Sequence, residues 1–159
     1  YFTPVAGDRL IEINRAGILT ALDVIALFDG YNTPFGKTDI NDTSIILRLT
    51  HGPTRVLFTG DLNVRMSDYL VKENYDVSAQ LLKVPHHGAS GHASNEFFDR
   101  VAAKAAFAPT PRVLWTTPRC QRAREYFESR QIPTYVSGRD GHVMVTLDAR
   151  GYSIVAGVE

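Results

Sequence analysis

The stretch LFTGDLNVRMSDYLVKENYDVSAQLLKVPHHG, from Leu57 to Gly88, decides how the chain is expected to fold. It contains two apolar runs, and each run ends on residues that bind metals well. The first run ends on Gly60-Asp61 and the second on Pro85-His86-His87-Gly88. The segment between them, from Val64 to Glu73, has the apolar periodicity of a helix. The stretch therefore predicts a strand, a helix and a second strand.

A helix that connects two strands of one sheet makes those strands parallel, and such crossovers are almost always right-handed. Parallel strands end at the same edge of a sheet, and the carboxyl edge is where α/β proteins usually hold ligands. Asp61 closes the first predicted strand and His86 closes the second. We therefore expect Asp61 and the two histidines to lie side by side.

The residue types at this edge indicate metal chemistry. Carboxylates and neutral imidazoles are common ligands of zinc, and they also suit manganese or iron. If the strand continues through His86 and His87, the two side chains point to opposite faces and one of them is a ligand. In a loop bounded by glycine both could turn inward. The candidate ligands are Asp61, His86 and His87, although a Gly-Asp pair after a strand is also a common turn.

The remaining pattern predicts an α/β fold with a mixed sheet and flanking helices. The segment from Asp8 to Phe28 is rich in β-formers, and a hairpin is expected around Thr50–Pro53. A loop is predicted over residues 29–42 because Gly, Pro, Asn and Asp are concentrated there. Further helices are predicted in SNEFFDRVAAK, with Ser94 as N-cap, and in CQRAREYFESRQ, and further strands in AQLLKV, AAFAPT, PTYVS, HVMVTL and YSIVA.

Composition limits the classes of function. The 159 residues, 44% of them hydrophobic, predict a single domain over residues 1–159 with a real core. Seventeen basic and seventeen acidic side chains cancel, which excludes a global positive field for nucleic acid. No apolar stretch reaches the roughly 20 residues needed to cross a bilayer, and the single cysteine, Cys120, slightly favours a cytoplasmic, reducing location. Because the chain begins at Tyr1, it is expected to be part of a longer or processed protein.

The positions of the three other histidines predict their surroundings. His51 is expected at the surface of the hairpin, far from Asp61, and His142 in an ordinary turn role at the start of a strand. His92 follows the histidine pair, so it either contacts substrate at the same edge or is a solvated loop residue, and the second interpretation is slightly favoured.

A basic cluster and a tryptophan complete the candidates. The predicted third helix carries Arg119, Arg122 and Arg124 at one end, which is typical of a solvated face. Trp115 is equally compatible with the core and with the carboxyl edge.

Three motifs together resemble a known family. NDTSIILRLTHGPTRVLFTGDL (41–62), LLKVPHHGAS (81–90) and a helix containing EFFDRV (96–101) occur in this order. The combination is similar to the C-terminal half of a metallo-β-lactamase-fold hydrolase, of the subgroup resembling the extramembrane domain of the DNA-uptake protein ComEC. The resemblance covers about Asp8 to Ile154 and is most specific from Asn41 to Ser90.

This resemblance implies half of an αββα sandwich with a dinuclear metal site, usually zinc. Asp61 would bridge the two metals, His86 or His87 would be a terminal ligand, and Asp61 and His87 would be the catalytic residues. Asn41 would stand where many relatives have a histidine, and Ser90 and His92 would be substrate or outer contacts. The implied activity is metal-dependent hydrolysis by an activated hydroxide, with a phosphodiester or nucleic acid as the favoured substrate.

Two departures from the family pattern qualify the expected activity. The N-terminal motif His-x-His/Asp-x-Asp-His, which supplies most ligands, is absent, and TPRVLWTTP stands near Thr110 to Pro118 in place of a Tyr-Gly-His-Pro segment. The chain would then be a fragment whose activity needs the missing N-terminal half of the same protein. The alternative is a non-catalytic scaffold or partner-binding half-domain, which would self-associate through uncovered apolar surface.

Overall fold

The computed structural model describes residues 3–30, 33–35 and 39–158. The strands in these ranges are Arg9–Arg15 (β1), Ile18–Ala26 (β2), Ile46–His51 (β3), Thr54–Phe58 (β4), Leu81–Lys83 (β5), Ala105–Ala108 (β6), Thr134–Val136 (β7), His142–Asp148 (β8) and Gly151–Val158 (β9). The helices are Val64–Lys72 (α1), Asn95–Val101 (α2), Arg112–Trp115 (α3), Gln121–Ser129 (α4) and Ser137–Asp140 (α5). Short 3₁₀ turns lie at Ile40–Thr43, Pro85–Gly88 and Pro118–Cys120.

Strands β1 to β7 form one sheet in chain order, and β8 pairs with β9 in a separate hairpin. The pairs from β1 to β4 are antiparallel, whereas the pairs from β4 to β7 are parallel. The prediction of an α/β fold with a mixed sheet and flanking helices is confirmed. So is the crossover through α1, because β4 and β5 pair in parallel with Leu57 opposite Leu82.

The two faces of the sheet have different partners. Leu57, Leu82 and Ala106 lie in register on one face, and each is 0% exposed. They belong to a core that also contains Leu70 of α1 and Phe127 of α4. On the opposite face the β8–β9 hairpin lies over the sheet, and its residues Val143, Val145 and Leu147 line a cavity together with Leu49, Val56 and Leu81.

Local signals place the helices close to their predicted bounds. Asn63 caps α1 by accepting a hydrogen bond from the backbone N–H of Met66, 3.0 Å away. Ser94 caps α2 as predicted, because its hydroxyl oxygen accepts from the N–H of Phe97. Part of the predicted loop over 29–42, namely residues 31–32 and 36–38, lies outside the described residues, and its end forms the 3₁₀ turn Ile40–Thr43. No helix in the described ranges has the length and apolar character needed to span a membrane.

Candidate metal-binding edge

Asp61 stands in a tight turn directly after β4. Gly60 has φ +52°, and a Cβ there would come 3.1 Å from Cβ of Ser44. The backbone N–H of Asp61 donates to the hydroxyl of the same Ser44 at 3.1 Å. Thr59, which is 0% exposed, donates its hydroxyl hydrogen to the carbonyl of Lys83 at 2.8 Å. The end of β4 is therefore tied to both the 3₁₀ turn before β3 and the end of β5.

The histidine pair lies in a turn and not in a strand. His86 has φ +48° and His87 has φ +57°, a left-handed conformation that non-glycine residues adopt at a cost. Gly88 follows at φ +80°, and a Cβ on Gly88 would come 2.6 Å from the Trp115 ring. Of the two sequence alternatives, the turn bounded by glycine is the one that the structure adopts. Consecutive strained residues of this kind are concentrated at functional sites.

Asp61 and His87 meet at the carboxyl edge. Nε2 of His87 lies 3.4 Å from Oδ1 of Asp61, and the two side chains are 45% and 44% exposed. Nδ1 of His87 lies 2.8 Å from the carbonyl oxygen of Pro109. A carbonyl can only accept, so Nδ1 carries the proton and the lone pair of neutral His87 is on Nε2, the nitrogen that faces Asp61.

Lys83 brings a cation to the same place, and the sequence analysis missed it. Its Nζ donates to the carbonyl of Gly60 at 2.5 Å and lies 3.6 Å from Oδ1 of Asp61. Burial lowers the pKa of Lys83, and the carboxylate of Asp61 opposes that effect. Lys83 could have been found from the sequence, because it is the last residue of β5. Alternation along the strand puts its side chain on the same face of the sheet as those of Leu81 and Val56.

The His86 side chain makes no hydrogen bond or ion pair with Asp61 among the described residues. Its Nδ1 is buried and has no hydrogen-bond partner among the described residues. Its backbone N–H donates to the carbonyl of Gly60 at 3.3 Å, which fixes the distance between the two loops.

The preferred interpretation of His92 as a solvated loop residue is wrong. The side chain is 1% exposed and packs on Phe98 at 5.5 Å between ring centroids. Arg122 of α4 lies 2.9 Å from its Nδ1 and also donates to the carbonyl oxygens of His92 and Ala93. Burial lowers the pKa of His92 to about 4, and the charge of Arg122 and the nearby His86 add to the effect. The sequence could not show this because the partner lies on a distant helix.

In the described residues, the side chains of Asn41 and Ser90 make no hydrogen bond or ion pair with Asp61 or His87. Asn41 is half-buried and its N–H donates to Oδ1 of Asp39 at 2.8 Å, whereas Ser90 is exposed. The neighbouring Asp42 is the residue of that turn with a structural role. Asp42 is 0% exposed and accepts from Asn63 and Arg65, so it holds the turn against the start of α1.

The tryptophan, the three arginines and the two remaining histidines lie in different surroundings. Trp115 is 5% exposed and belongs to the core beneath Gly88. Arg119 and Arg122 are exposed, as expected for a solvated face, and Arg124 is half-buried. Arg122 and Arg124 also donate to backbone carbonyls. His51 ends β3, half-buried beside Thr20, and His142 begins β8 and is exposed.

Within residues 3–30, 33–35 and 39–158, no group of three or more His, Cys, Asp or Glu side chains is arranged to hold a metal ion. Asp61 and His87 are the pair that could contribute to a metal site.

The fold and this edge define a mixed α/β domain with two potential metal ligands at the carboxyl ends of parallel strands. No protein-family model matches the chain. The chain is 26% identical over 116 residues to the uncharacterized protein YcaI of Escherichia coli (strain K12). The matched region is 72% of this chain and 15% of YcaI, so the chain spans only a small part of its relative's length.

Proposed function

We propose that the chain is the C-terminal part of a metal-dependent hydrolase domain of the metallo-β-lactamase type, similar to the ComEC-like subgroup. The observation that supports this most is the contact between Asp61 and His87 at 3.4 Å. Two ligands held about 2.0 to 2.2 Å from one zinc ion at a tetrahedral angle are roughly 3.3 to 3.5 Å apart. The pair therefore fits two positions of one coordination sphere.

The orientation of His87 also fits ligation. Metal-binding histidines usually donate their other N–H to a carbonyl or carboxylate, which fixes the ring and its tautomer. The carbonyl of Pro109, 2.8 Å from Nδ1, would have this role in the proposed site. Zinc is the favoured metal for a carboxylate and an imidazole, and manganese or iron would also suit these donors.

The remaining ligands would come from a preceding half of the same protein. We propose that this half carries the clustered histidines and aspartates of the family and packs its own sheet on this one. A bound metal pair would supply a hydroxide nucleophile at neutral pH and stabilise developing negative charge. Asp61 would hold and orient both metals, His87 would complete one sphere, and Lys83 at 3.6 Å from Asp61 would add positive charge beside the substrate.

A phosphodiester, including a nucleic-acid strand, is the proposed substrate class. Its support is the resemblance of the motifs around Asp61 and His87, because the net charge of zero adds none.

The test uses the full-length protein, including the sequence before Tyr1. It should hydrolyse bis-p-nitrophenyl phosphate or single-stranded DNA with zinc or manganese, and a chelator should abolish the activity. His87→Ala should lower kcat/KM by at least about 100-fold, as expected for the loss of a metal ligand or its support. His51→Ala is the matched control and should leave kcat/KM unchanged, because His51 ends β3 beside Thr20, at the opposite end of the β3–β4 pair from Asp61. Full activity of the His87 variant would refute the proposal.

One observation favours the alternative, a self-associating scaffold half-domain. Ile11, Ile13 and Phe58 are 46%, 52% and 41% exposed, and the strand register places them on the face that also carries Val56. Exposed apolar sheet surface of this kind drives association. If the isolated chain is a dimer by light scattering and Phe58→Lys makes it monomeric, while the full-length protein binds no metal, the scaffold function is supported instead.

A further inference from the structure

A cavity of about 500 Å³ lies between the β8–β9 hairpin and the sheet. Val143, Val145 and Leu147 of the hairpin line it together with Leu49 and Val56 of the sheet. All five side chains are half-buried, so the hairpin and the sheet do not close on each other. Sites for small organic ligands measure roughly 300 to 1,000 Å³ and have mainly apolar walls, as this cavity does.

The cavity borders the Asp61–His87 pair. Lys83 lines the cavity, and its Nζ lies 3.6 Å from Oδ1 of Asp61. Pro109 also lines it, and the carbonyl of Pro109 accepts the hydrogen bond from Nδ1 of His87 at 2.8 Å. The same two residues therefore belong to the wall of the cavity and to the surroundings of the candidate metal ligands. A substrate that reaches Asp61 and His87 can extend into the cavity without a long connection.

Two stacked aromatic rings form part of the wall beside Lys83. Phe107 of β6 is opposite Lys83 in the β5–β6 register, and Tyr135 of β7 is opposite Phe107. The rings of Phe107 and Tyr135 have centroids 5.5 Å apart and an angle of 17° between their planes. Both residues are half-buried, so each retains accessible surface. Aromatic side chains next to a cation are the usual means of binding nucleotides of single strands, because every base has a flat π-face and every phosphate is anionic.

The charge of the lining favours the same kind of ligand. Among the described residues that line the cavity there are one lysine, Lys83, and one histidine, His142, but no acidic side chain. An anionic group is therefore favoured at the Lys83 end. A strongly polar group deeper in the cavity would lose its hydration against apolar walls, which costs free energy. The lining thus fits an aromatic ring that is attached to an anion.

The preceding half of the protein does not need this cavity in order to pack on the sheet. Ile11 and Ile13 of β1 are exposed on the same face and lie outside the cavity lining. They provide surface for the preceding half. The cavity itself has walls from this chain on both sides, the hairpin and the sheet.

We propose that this cavity is the subsite for the nucleobase next to the phosphodiester bond on which Asp61 and His87 act. The base packs against Phe107 and Tyr135, and its phosphate lies at Lys83. The inference rests on the proposed function, because it assigns the cavity to the same substrate. It adds a selection that the metal ligands alone do not make: a phosphate that carries a base is preferred over the same phosphate without one.

Binding of two probes to the full-length protein tests the subsite without catalysis. The probes are thymidine 5′-monophosphate and methyl 2-deoxyribofuranoside 5-phosphate, in which a methoxy group replaces the base. We expect the mononucleotide to bind at least about 10-fold more tightly by NMR titration, as one stacked base can contribute. The ratio should be the same after a chelator has removed any metal, because the contacts to the base do not involve it.

Variants locate the base. Tyr135→Leu should largely abolish the difference between the two probes. Tyr75→Leu is the matched control: Tyr75 is also half-buried but packs against the core on the helix side of the sheet, so the ratio should stay at the wild-type value. If Tyr135→Leu does not fold, Phe107→Leu and the wild-type ratio decide.

Equal affinities of the two probes for the wild type would overturn the inference, and so would an unchanged ratio in folded Tyr135→Leu. Hexyl phosphate binding as tightly as the mononucleotide would also overturn it, because the subsite would then be apolar without selecting an aromatic ring. The proposed function fails on different results, namely no metal binding and no phosphodiester hydrolysis, and the probe ratio is measured independently of both.

Discussion

Nε2 of His87 lies 3.4 Å from Oδ1 of Asp61, and the carbonyl of Pro109 accepts a hydrogen bond from the other nitrogen of the same ring. The three residues follow the ends of three adjacent parallel strands, β4, β5 and β6. A one-residue shift in the register of any of these strands would move its terminal residue and separate the contacts. The sheet thus positions the pair, and the turns adjust its orientation.

Gly88 is expected to be essential for this turn. Gly88→Ala should lower the free energy of unfolding by about 3 kcal/mol, because a Cβ at φ +80° is strained and would come 2.6 Å from Trp115. Gly91→Ala is the matched control: Gly91 has φ +86° with nothing within 4 Å, so only the backbone cost of about 1 kcal/mol should appear. Urea unfolding of both variants measures the difference. Equal losses would show that the Trp115 contact is unimportant.

The buried Asp42 should anchor the segment before β3. Asp42→Ala should cost about 3 kcal/mol of stability, because it removes an acceptor that is 0% exposed and leaves Arg65 and Asn63 without it. Burial alone would raise the pKa of Asp42, but bonds from Arg65, Asn63 and the Asp39 N–H outweigh burial and lower it. Asp39→Ala, which removes an exposed cap of the same turn, should cost about 1 kcal/mol. Thermal unfolding distinguishes the two, and a loss at Asp42 no larger than that at Asp39 would contradict the anchoring role.

The buried His92 should make the protein less stable in mild acid. Its folded-state pKa is about 4, against 6.5 for a free imidazole, so the unfolded chain binds more protons between these values. The contribution is complete above pH 6.5 and is lost as the pH falls towards 4, by about 3 kcal/mol in total. Arg122 and His86 face the ring and oppose its charging.

Urea unfolding of wild type and His92→Phe from pH 7 to pH 4 tests this pH dependence. The wild type should lose stability relative to the variant as the pH is lowered, because the variant lacks the titrating ring. Carboxylates contribute equally to both proteins and cancel in the difference. Parallel curves would mean that His92 is not buried in its neutral form.

Some features of the site could be predicted from local sequence patterns, and others could not. The proximity of Asp61 to His87 could be predicted from two apolar runs, one helical segment and the geometry of a parallel crossover. The left-handed turn at His86 and His87 could not be predicted, because it depends on the close packing of Gly88 against Trp115. The burial of His92 depends on Arg122 of α4, thirty residues away, and no local pattern signals such a contact.

The central claim is that Asp61 and His87 share a bound metal, and metal content measured on the full-length protein tests it most directly. Mass spectrometry of protein dialysed against trace zinc should show two metals per wild-type chain and a loss of most of them in Asp61→Ala. Asp68→Ala, at an exposed aspartate of α1, should retain the wild-type content. Full metal loading of the folded Asp61 variant would contradict the account.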